Sequence, residues 1–152
     1  MADDFTGQWY NQLGSWMNLR VTNGAVTGTY HTAVGAPNPA DTFDVIGTVS
    51  DDIVSFVVSW KNGTVDYQSI TAWVGQMTKD DDGTTDRIET LWHLVTNIPD
   101  PDEPKKLWGT VRTGADRFRR NPFPNLNNVL KTQKRLGSEP RAIAAAKRSR
   151  SS

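Results

Sequence analysis

The 152-residue chain contains no cysteine, which excludes disulfide bonds and any chemistry that needs a thiolate. No apolar run approaches the roughly 20 residues that a membrane-spanning helix requires, so no membrane association is expected. The acidic N-terminus lacks an apolar stretch, and the sequence therefore predicts no signal peptide in this chain. Hydrophobic residues make up 36% of the chain, which is the composition of a soluble protein.

Signatures of catalysis and of metal binding are missing as well. The sequence has no Gly-rich phosphate loop, no spacing typical of a metal site and only two histidines, His31 and His93. Both histidines fall in segments that read as strands, where a lone histidine is more often a surface or packing residue than a catalyst. The three aspartates at residues 80–82 precede Gly83 but lack the spacing and terminal Glu of a calcium loop, so we interpret them as a solvated turn. The sequence thus predicts no catalytic residue, no metal ion and no cofactor.

The net charge of zero conceals two oppositely charged regions. Residues 1–116 carry 7 basic and 16 acidic side chains, a net charge of −9, whereas residues 117–152 carry 10 basic side chains and one acid, a net charge of +9. Two prolines lie close to this change of sign. We therefore predict a folded domain over residues 1–119 and a basic, flexible tail over residues 120–152. The other interpretation of the tail is a docking or assembly segment.

Turn signals recur at short intervals up to residue 120, and β-branched and aromatic runs lie between them. Asn23-Gly24, Asn62-Gly63 and Asp82-Gly83 are typical of tight hairpin turns. The pattern predicts eight strands, at approximately residues 7–13, 16–22, 25–32, 43–49, 53–60, 66–77, 86–96 and 106–115. Because closing a meander removes its exposed edges, we predict an all-β fold, an eight-stranded antiparallel up-and-down β-barrel with a C-terminal extension.

Six tryptophans are the most informative residues present. They are spread over the predicted strands, at Trp9, Trp16, Trp60, Trp73, Trp92 and Trp108. Large aromatic walls with a few polar tips favour a small-molecule pocket, although any one tryptophan could equally fill a β core. We expect Trp9 to pack in the core, and the sequence suggests no role for Trp16.

Motifs along the chain carry a resemblance to a known family. They are, in order, residues 7–15 (GQWYNQLGS), 27–35 (TGTYHTAVG), 60–62 (WKN), 69–76 (SITAWVGQ), 87–94 (RIETLWHL), 107–110 (LWGT) and 114–118 (GADRF). Each motif alone is weakly specific, but their order and spacing over roughly residues 5–119 resemble the avidin/streptavidin family of biotin-binding proteins. The resemblance implies high-affinity, non-covalent binding of biotin in the mouth of the barrel, without catalysis.

The resemblance also implies which polar groups would meet the ligand. Asn11, Ser15 and Tyr30 would direct hydrogen bonds at the ureido oxygen of biotin, as donors do in an oxyanion hole. Thr32 and Asp116 would accept hydrogen bonds from the two ureido N–H groups. A carboxylate is the stronger acceptor of the two, because charge-assisted hydrogen bonds are roughly twice as strong as neutral ones. We interpret Asp116 as an acid that directly follows an apolar strand.

The walls and the mouth of the implied pocket come from other segments. The bicyclic ring and alkyl chain would be enclosed by Trp60, Trp73, Trp92 and Leu94, with Thr71 facing the ring sulfur. The valerate carboxylate would be met at the mouth by Ser69 and by Val34, Gly35 and Ala36. Trp108 would be donated across a subunit interface to a neighbour's ligand, which implies a homotetramer. The resemblance further implies a secreted protein, and it leaves open higher assembly through the tail.

Two other classes of protein remain open at this point. One is a carrier of the calycin type for a different small ligand, with lipocalins as relatives, which would lack the inward Asn-Ser-Tyr-Asp set. The other is a binder of anionic surfaces or nucleic acid through the basic region of net charge +9 at residues 117–152. This region lacks interleaved aromatic residues apart from Phe118 and Phe123, so it supports electrostatic attachment at most, and we do not expect nucleic-acid recognition.

Overall fold

A computed structural model describes residues 4–33, 41–102 and 110–124, and β-strands account for most of them. The strands are β1 (Gly7–Asn11), β2 (Trp16–Thr22), β3 (Ala25–His31), β4 (Thr42–Ser50), β5 (Ile53–Lys61), β6 (Asp66–Lys79), β7 (Asp86–Thr96) and β8 (Val111–Arg119). A 3-10 turn at Asp100–Asp102 follows β7. Within the described ranges, no helix has the length and apolar character that crossing a bilayer demands.

The eight strands form a closed antiparallel barrel in sequence order. Each strand pairs with the next, and β8 returns to β1, where Tyr10 lies opposite Arg119 and Asn11 lies opposite Phe118. Closure pairs the edges that an open meander would leave exposed to other chains. The predicted fold class, an eight-stranded up-and-down β-barrel, is confirmed.

The turn between β2 and β3 shows how the sequence directs the chain locally. Asn23 has a φ of 51° and Gly24 a φ of 78°, the left-handed values that a tight two-residue hairpin turn requires. Asparagine and glycine tolerate these values better than other residues do. Asp51 adopts a φ of 52° in the equivalent turn between β4 and β5, at the same end of the barrel.

The interior of the barrel is filled by large apolar side chains that alternate with exposed ones along each strand. Those exposed by less than 2% include Trp9, Trp60, Trp73, Trp92, Tyr30, Phe5, Phe43, Phe56, Phe118, Met17, Leu19 and Ile88. The expectation that Trp9 packs in the core is confirmed. Its indole Nε1 donates a hydrogen bond of 2.8 Å to the carbonyl oxygen of Phe5, and the Arg120 guanidinium lies 3.7 Å from its ring centroid.

The last strand differs from its prediction. Residues 106–115 were expected to form it, but β8 spans Val111–Arg119 and includes Asp116. The prediction gave weight to the apolar residues before position 112. The observed strand pairs with β7 and includes charged residues, whose side chains are hydrogen-bonded to neighbouring parts of the barrel. Arg119 illustrates this, because its Nε donates to the carboxylate of Asp80. Asp116 therefore lies within a strand, and the reading of it as an acid after a strand is wrong.

Asp80 is a second departure from the sequence-based interpretation. Asp81 and Asp82 are exposed, as expected of a solvated turn, but Asp80 is buried and also accepts a hydrogen bond of 3.3 Å from Arg87 Nη1. Burial alone would raise the pKa of Asp80, but the backbone N–H of Asp81 and the guanidinium groups of Arg119 and Arg87 together lower it. An ion-pair cluster therefore ties the β6–β7 turn to the end of β8.

Trp16 has a packing role that the sequence does not reveal. It lies opposite His31 in the β2–β3 ladder, and the two rings stack with centroids 3.7 Å apart and an angle of 6° between their planes. Both side chains are half-buried, and burial lowers the pKa of His31. The stack covers the outer wall of the barrel beside the end of β3.

Candidate functional site

Hydrogen-bonding side chains are buried at one end of the barrel interior. Because the strands are antiparallel, the ends of β1, β3, β5 and β7 lie beside the starts of the strands that follow them. The buried polar side chains contributed near this end are Asn11, Gln12, Ser15, Ser69, Thr71, Thr90 and Asp116. Burying a polar group costs free energy unless it is hydrogen-bonded, so each of these side chains needs a partner.

Asp116 is the centre of one hydrogen-bonded group. Trp73 Nε1 donates a hydrogen bond of 2.8 Å to its Oδ2, and Gln12 Nε2 donates one of 2.6 Å to its Oδ1. The Thr90 hydroxyl donates to the Asp116 backbone carbonyl at 2.8 Å, and the Arg117 N–H donates to Gln12 Oε1 at 2.9 Å. These contacts orient the carboxylate from both sides, and Asp116 itself is only 3% exposed.

Asn11 and Tyr30 meet in a second group, beside the turn that joins β1 and β2. Asn11 Nδ2 donates to the Tyr30 hydroxyl at 3.2 Å, while Asn11 Oδ1 accepts from the backbone N–H groups of Leu13 and Ser15, each at 3.0 Å. The Ser15 hydroxyl accepts from the N–H of Ala33 at 3.2 Å, which links this turn to the end of β3. The three residues predicted to share one target are thus joined by a network that holds the turn in place.

Aromatic rings surround the polar groups. Tyr30 stacks on Trp73 with centroids 5.6 Å apart and meets Trp60 edge-on at 5.4 Å. Trp60 and Trp73 are themselves 6.4 Å apart at 69°, and Trp60 Nε1 donates a hydrogen bond of 2.7 Å to Thr71 Oγ1. Edge-to-face and offset-stacked contacts at these separations are the favoured geometries of aromatic pairs. The indole N–H groups of Trp60 and Trp73 are therefore both paired, with Thr71 and Asp116 respectively.

Trp92 completes the walls from β7. It lies opposite Trp73 in the β6–β7 ladder and opposite Gly114 in the β7–β8 ladder. A Cβ on Gly114 would lie 2.3 Å from Trp92 Cζ2, so only glycine leaves room for this indole. Trp92 Nε1 is buried and has no hydrogen-bond partner among the described residues. Such a donor costs free energy in a folded protein and calls for a functional explanation.

The structure brings together most of the residues predicted for the site. Buried around the barrel interior are Asn11, Ser15, Tyr30, Trp60, Ser69, Thr71, Trp73, Trp92, Leu94 and Asp116. Thr32 is half-buried and directly follows β3. The predicted contacts at Val34, Gly35, Ala36 and Trp108, together with the tail from residue 125 onwards, lie outside the described residues. No cluster of three or more His, Asp or Glu side chains that could hold a metal ion occurs within the described ranges.

Sequence reasoning missed two residues of the Asp116 group, Gln12 and Thr90. Gln12 directly follows Asn11 in the β1–β2 turn, and Thr90 alternates with Trp92 along β7 on the inner face. The alternation of inward and outward residues along β7 could have identified Thr90, because it is a polar residue at an inward position and the other buried positions of this strand are apolar. Gln12 carried no such signal, because its partner Asp116 is 104 residues away in the sequence.

These features define an up-and-down β-barrel whose aromatic-lined interior holds buried, oriented hydrogen-bonding groups. Comparison with known proteins identifies the family of this barrel. The Avidin family model matches residues 2–121, and the chain belongs to the avidin family. The chain is 33% identical to avidin-related protein 4/5 and 32% identical to avidin, both from Gallus gallus, over 76% of this chain and 76% of each relative. It is 31% identical to afifavidin from Afifella pfennigii over 74% of this chain and 67% of that protein.

Proposed function

We propose that this protein binds biotin non-covalently and with high affinity inside its barrel, and that it catalyses no reaction. Membership of the avidin family supports a biotin ligand. The observation that carries the proposal is the buried Asp116 carboxylate, held by Trp73 and Gln12 beside the aromatic walls. A ligand with N–H donors and a flat, largely apolar ring matches both properties.

The hydrogen bonds of the site suggest how the ureido group would be held. Asp116 would accept from one ureido N–H and Thr32 from the other, while Asn11, Ser15 and Tyr30 would surround the ureido oxygen. The Asn11 network pre-orders these groups, so that little side-chain entropy remains to be lost on binding. Water-excluding walls would further strengthen each polar contact, because a low local dielectric strengthens hydrogen bonds.

The walls would enclose the rest of the ligand. Trp60, Trp73 and Trp92 would pack on the ring system, and each buried tryptophan offers about 150–250 Å² of mostly apolar area. Leu94 would add apolar contact, and Thr71 would face the ring sulfur while its Oγ1 accepts from Trp60. The N–H of Trp92, which has no acceptor in the part of the chain that the structure describes, would gain one from the ligand or from a water molecule that accompanies it.

We further propose that the protein is a homotetramer and that it is secreted. The outer face of β6, β7 and β8 exposes five large apolar side chains, those of Ile70, Val74, Leu91, Val95 and Val111. They form two cross-strand groups, Val74 opposite Leu91 and Val95 opposite both Ile70 and Val111, and the row of Ala72, His93 and Thr113 lies between the groups. Exposed apolar patches of this kind mark protein interfaces, and we assign this one to a second copy of the chain. Family membership supports the extracellular location.

A biotin titration tests the proposed function. We expect a saturable change in tryptophan fluorescence, because three of the walls are tryptophans. Calorimetry should give a dissociation constant below one micromolar. Asp116→Ala should weaken binding by about 3 kcal/mol or more, since a ligand N–H would be left without its acceptor. Asp44→Ala, which removes an exposed carboxylate from β4, is the matched control. No response to micromolar biotin, together with binding of an apolar ligand, would favour a lipocalin-like carrier instead.

A further inference from the structure

The ladder between β2 and β3 ends on a pair of rings. Trp16 is the first residue of β2 and His31 the last residue of β3, and the two lie opposite each other as the terminal pair of the ladder. Their neighbours Met17 and Tyr30 are buried in the core, so the alternation along each strand places Trp16 and His31 on the outer wall. The pairing of β2 with β3 therefore stops at an outward-facing stack.

This stack is tighter than the aromatic contacts inside the barrel. The centroids of Trp16 and His31 are 3.7 Å apart, whereas those of the interior pairs are 5.0–6.4 Å apart. Cross-strand pairs of aromatic side chains stabilise strand pairing. Their contribution matters most at the end of a ladder, because strand ends open more readily than strand centres. The stack thus holds the ends of β2 and β3 together from the outside.

Two residues of the candidate site lie immediately beyond the stack. Ser15 directly precedes Trp16, and Thr32 directly follows His31. Ser15 is fully buried, and its hydroxyl accepts a hydrogen bond of 3.2 Å from the N–H of Ala33, which joins the same two strand ends on the inner side. The positions of the Ser15 and Thr32 hydroxyls therefore depend on how closely β2 and β3 approach each other here.

We propose that Trp16 and His31 are positioning residues, which hold the hydroxyls of Ser15 and Thr32 in place for the ligand without touching it. The inference rests on the proposed function, in which these two hydroxyls meet the ureido group. Both rings lie on the outer wall, on the opposite side of the sheet from the tryptophans that line the interior. Because hydrogen bonds depend on distance and angle, a separation of the strand ends would weaken the contacts of both hydroxyls.

The experiment is a double-mutant cycle in which calorimetry measures the affinity for biotin. Trp16→Ala removes the stack, and the pair Ser15→Ala and Thr32→Val removes both hydroxyls with little change in size. If the stack acts through the hydroxyls, its removal has no effect once they are absent. If it has a separate role, the two losses add.

Two further variants isolate the contribution of the ring. Trp16→Phe is the rescue variant, since a phenyl ring can still stack on His31. Asn18→Ala is the matched control, because Asn18 is exposed on the same face of β2 and lies opposite Thr29, the next outward-facing pair of the same ladder.

We expect Trp16→Ala to weaken binding of biotin by about 3- to 10-fold, the loss that corresponds to one typical hydrogen bond. In the protein that already carries Ser15→Ala and Thr32→Val, the same substitution should change the affinity by less than about 2-fold, the usual limit for independent effects. Trp16→Phe should restore the wild-type affinity to within about 2-fold, and Asn18→Ala should bind as the wild type does.

Equal losses with and without the two hydroxyls, or no loss in either case, would overturn the inference while leaving the proposed function intact. A Trp16→Phe variant that binds as weakly as Trp16→Ala would overturn it as well. A wild-type protein that does not bind biotin would instead refute the proposed function. If Trp16→Ala fails to fold, His31→Ala and its rescue variant His31→Phe replace it in the same cycle, and the same outcomes decide.

Discussion

Trp92 and Gly114 face each other across the β7–β8 ladder, and the indole of Trp92 occupies the space where a side chain at position 114 would begin. A Cβ there would lie 2.3 Å from Cζ2 and 2.7 Å from Cε2 of the indole. Atoms cannot approach so closely, so the position of this wall depends on a glycine. The first residue of the GADRF motif thus has a steric role, beside the polar role of Asp116 in the same motif.

Gly114→Ala should therefore displace the Trp92 indole. We expect a loss of about 1–3 kcal/mol in the free energy of unfolding, the usual cost of overpacking a well-packed core, and an altered near-ultraviolet circular dichroism spectrum. Denaturant unfolding measures the first effect. Gly63→Ala is the matched control, since a Cβ at Gly63 would meet no atom within 4 Å. Equal stability of the two variants would contradict the steric role of Gly114.

Gln12 should support ligand binding without touching the ligand. Gln12→Ala removes the donor to Asp116 Oδ1 and the acceptor of the Arg117 N–H, so the carboxylate loses one of the contacts that orient it. We expect calorimetry to show biotin affinity weakened by about 1–3 kcal/mol. Gln8→Ala changes an exposed glutamine on β1 and should leave the affinity as it is. An unchanged affinity in Gln12→Ala would show that Trp73 alone suffices to hold Asp116.

Asp80 should make the stability of the barrel depend on acidic pH. Since the pKa of Asp80 is lowered on folding, its contribution is present in full above about pH 4, the ordinary value for aspartate, and is lost as the pH falls through the lowered pKa. We expect Asp80→Asn to reduce the free energy of unfolding at pH 7 by about 1–3 kcal/mol and to flatten its decline in acid.

Denaturant unfolding at a series of pH values from 2 to 7 would measure this effect of Asp80. The difference between wild type and variant should shrink as the pH falls below about 4 and towards the lowered pKa of Asp80, because the unfolded chain then binds a proton at this residue that the folded protein does not yet bind. Asp44→Asn, at an exposed position on β4, controls for the loss of one carboxylate. A difference that stays constant down to pH 2 would contradict the contribution of the Asp80 ion pairs.

The apolar outer face of β6, β7 and β8 should mediate self-association. Leu91, which is 67% exposed, lies opposite Val74 near the middle of that face. Leu91→Lys places a charge there and should shift the sedimentation coefficient towards smaller species, because burying an unpaired charge in an interface is costly. Thr27→Lys, on the outer face of β3, should leave the assembly unchanged. A monomeric wild-type protein would refute the proposed tetramer.

The hydrophobic alternation and the turn residues were sufficient to predict seven of the strands to within about two residues, and the closed barrel with them. The prediction of β8 failed because pattern reasoning gives weight to apolar residues, whereas the register with β7 is decided by contacts between distant segments. Arg119 is compatible with a strand because Asp80, 39 residues earlier, accepts its Nε–H. No local window of the sequence contains that information.

For the candidate site, the sequence by itself determined the types of residue and their inward or outward alternation, because side-chain direction in a strand has a period of two. It also determined the family, through motifs that keep their order along the chain. Only the tertiary structure decided the pairings of Gln12 with Asp116 and of Trp16 with His31. These depend on strand register and barrel closure, which bring together groups up to 104 residues apart and orient them within hydrogen-bonding distance.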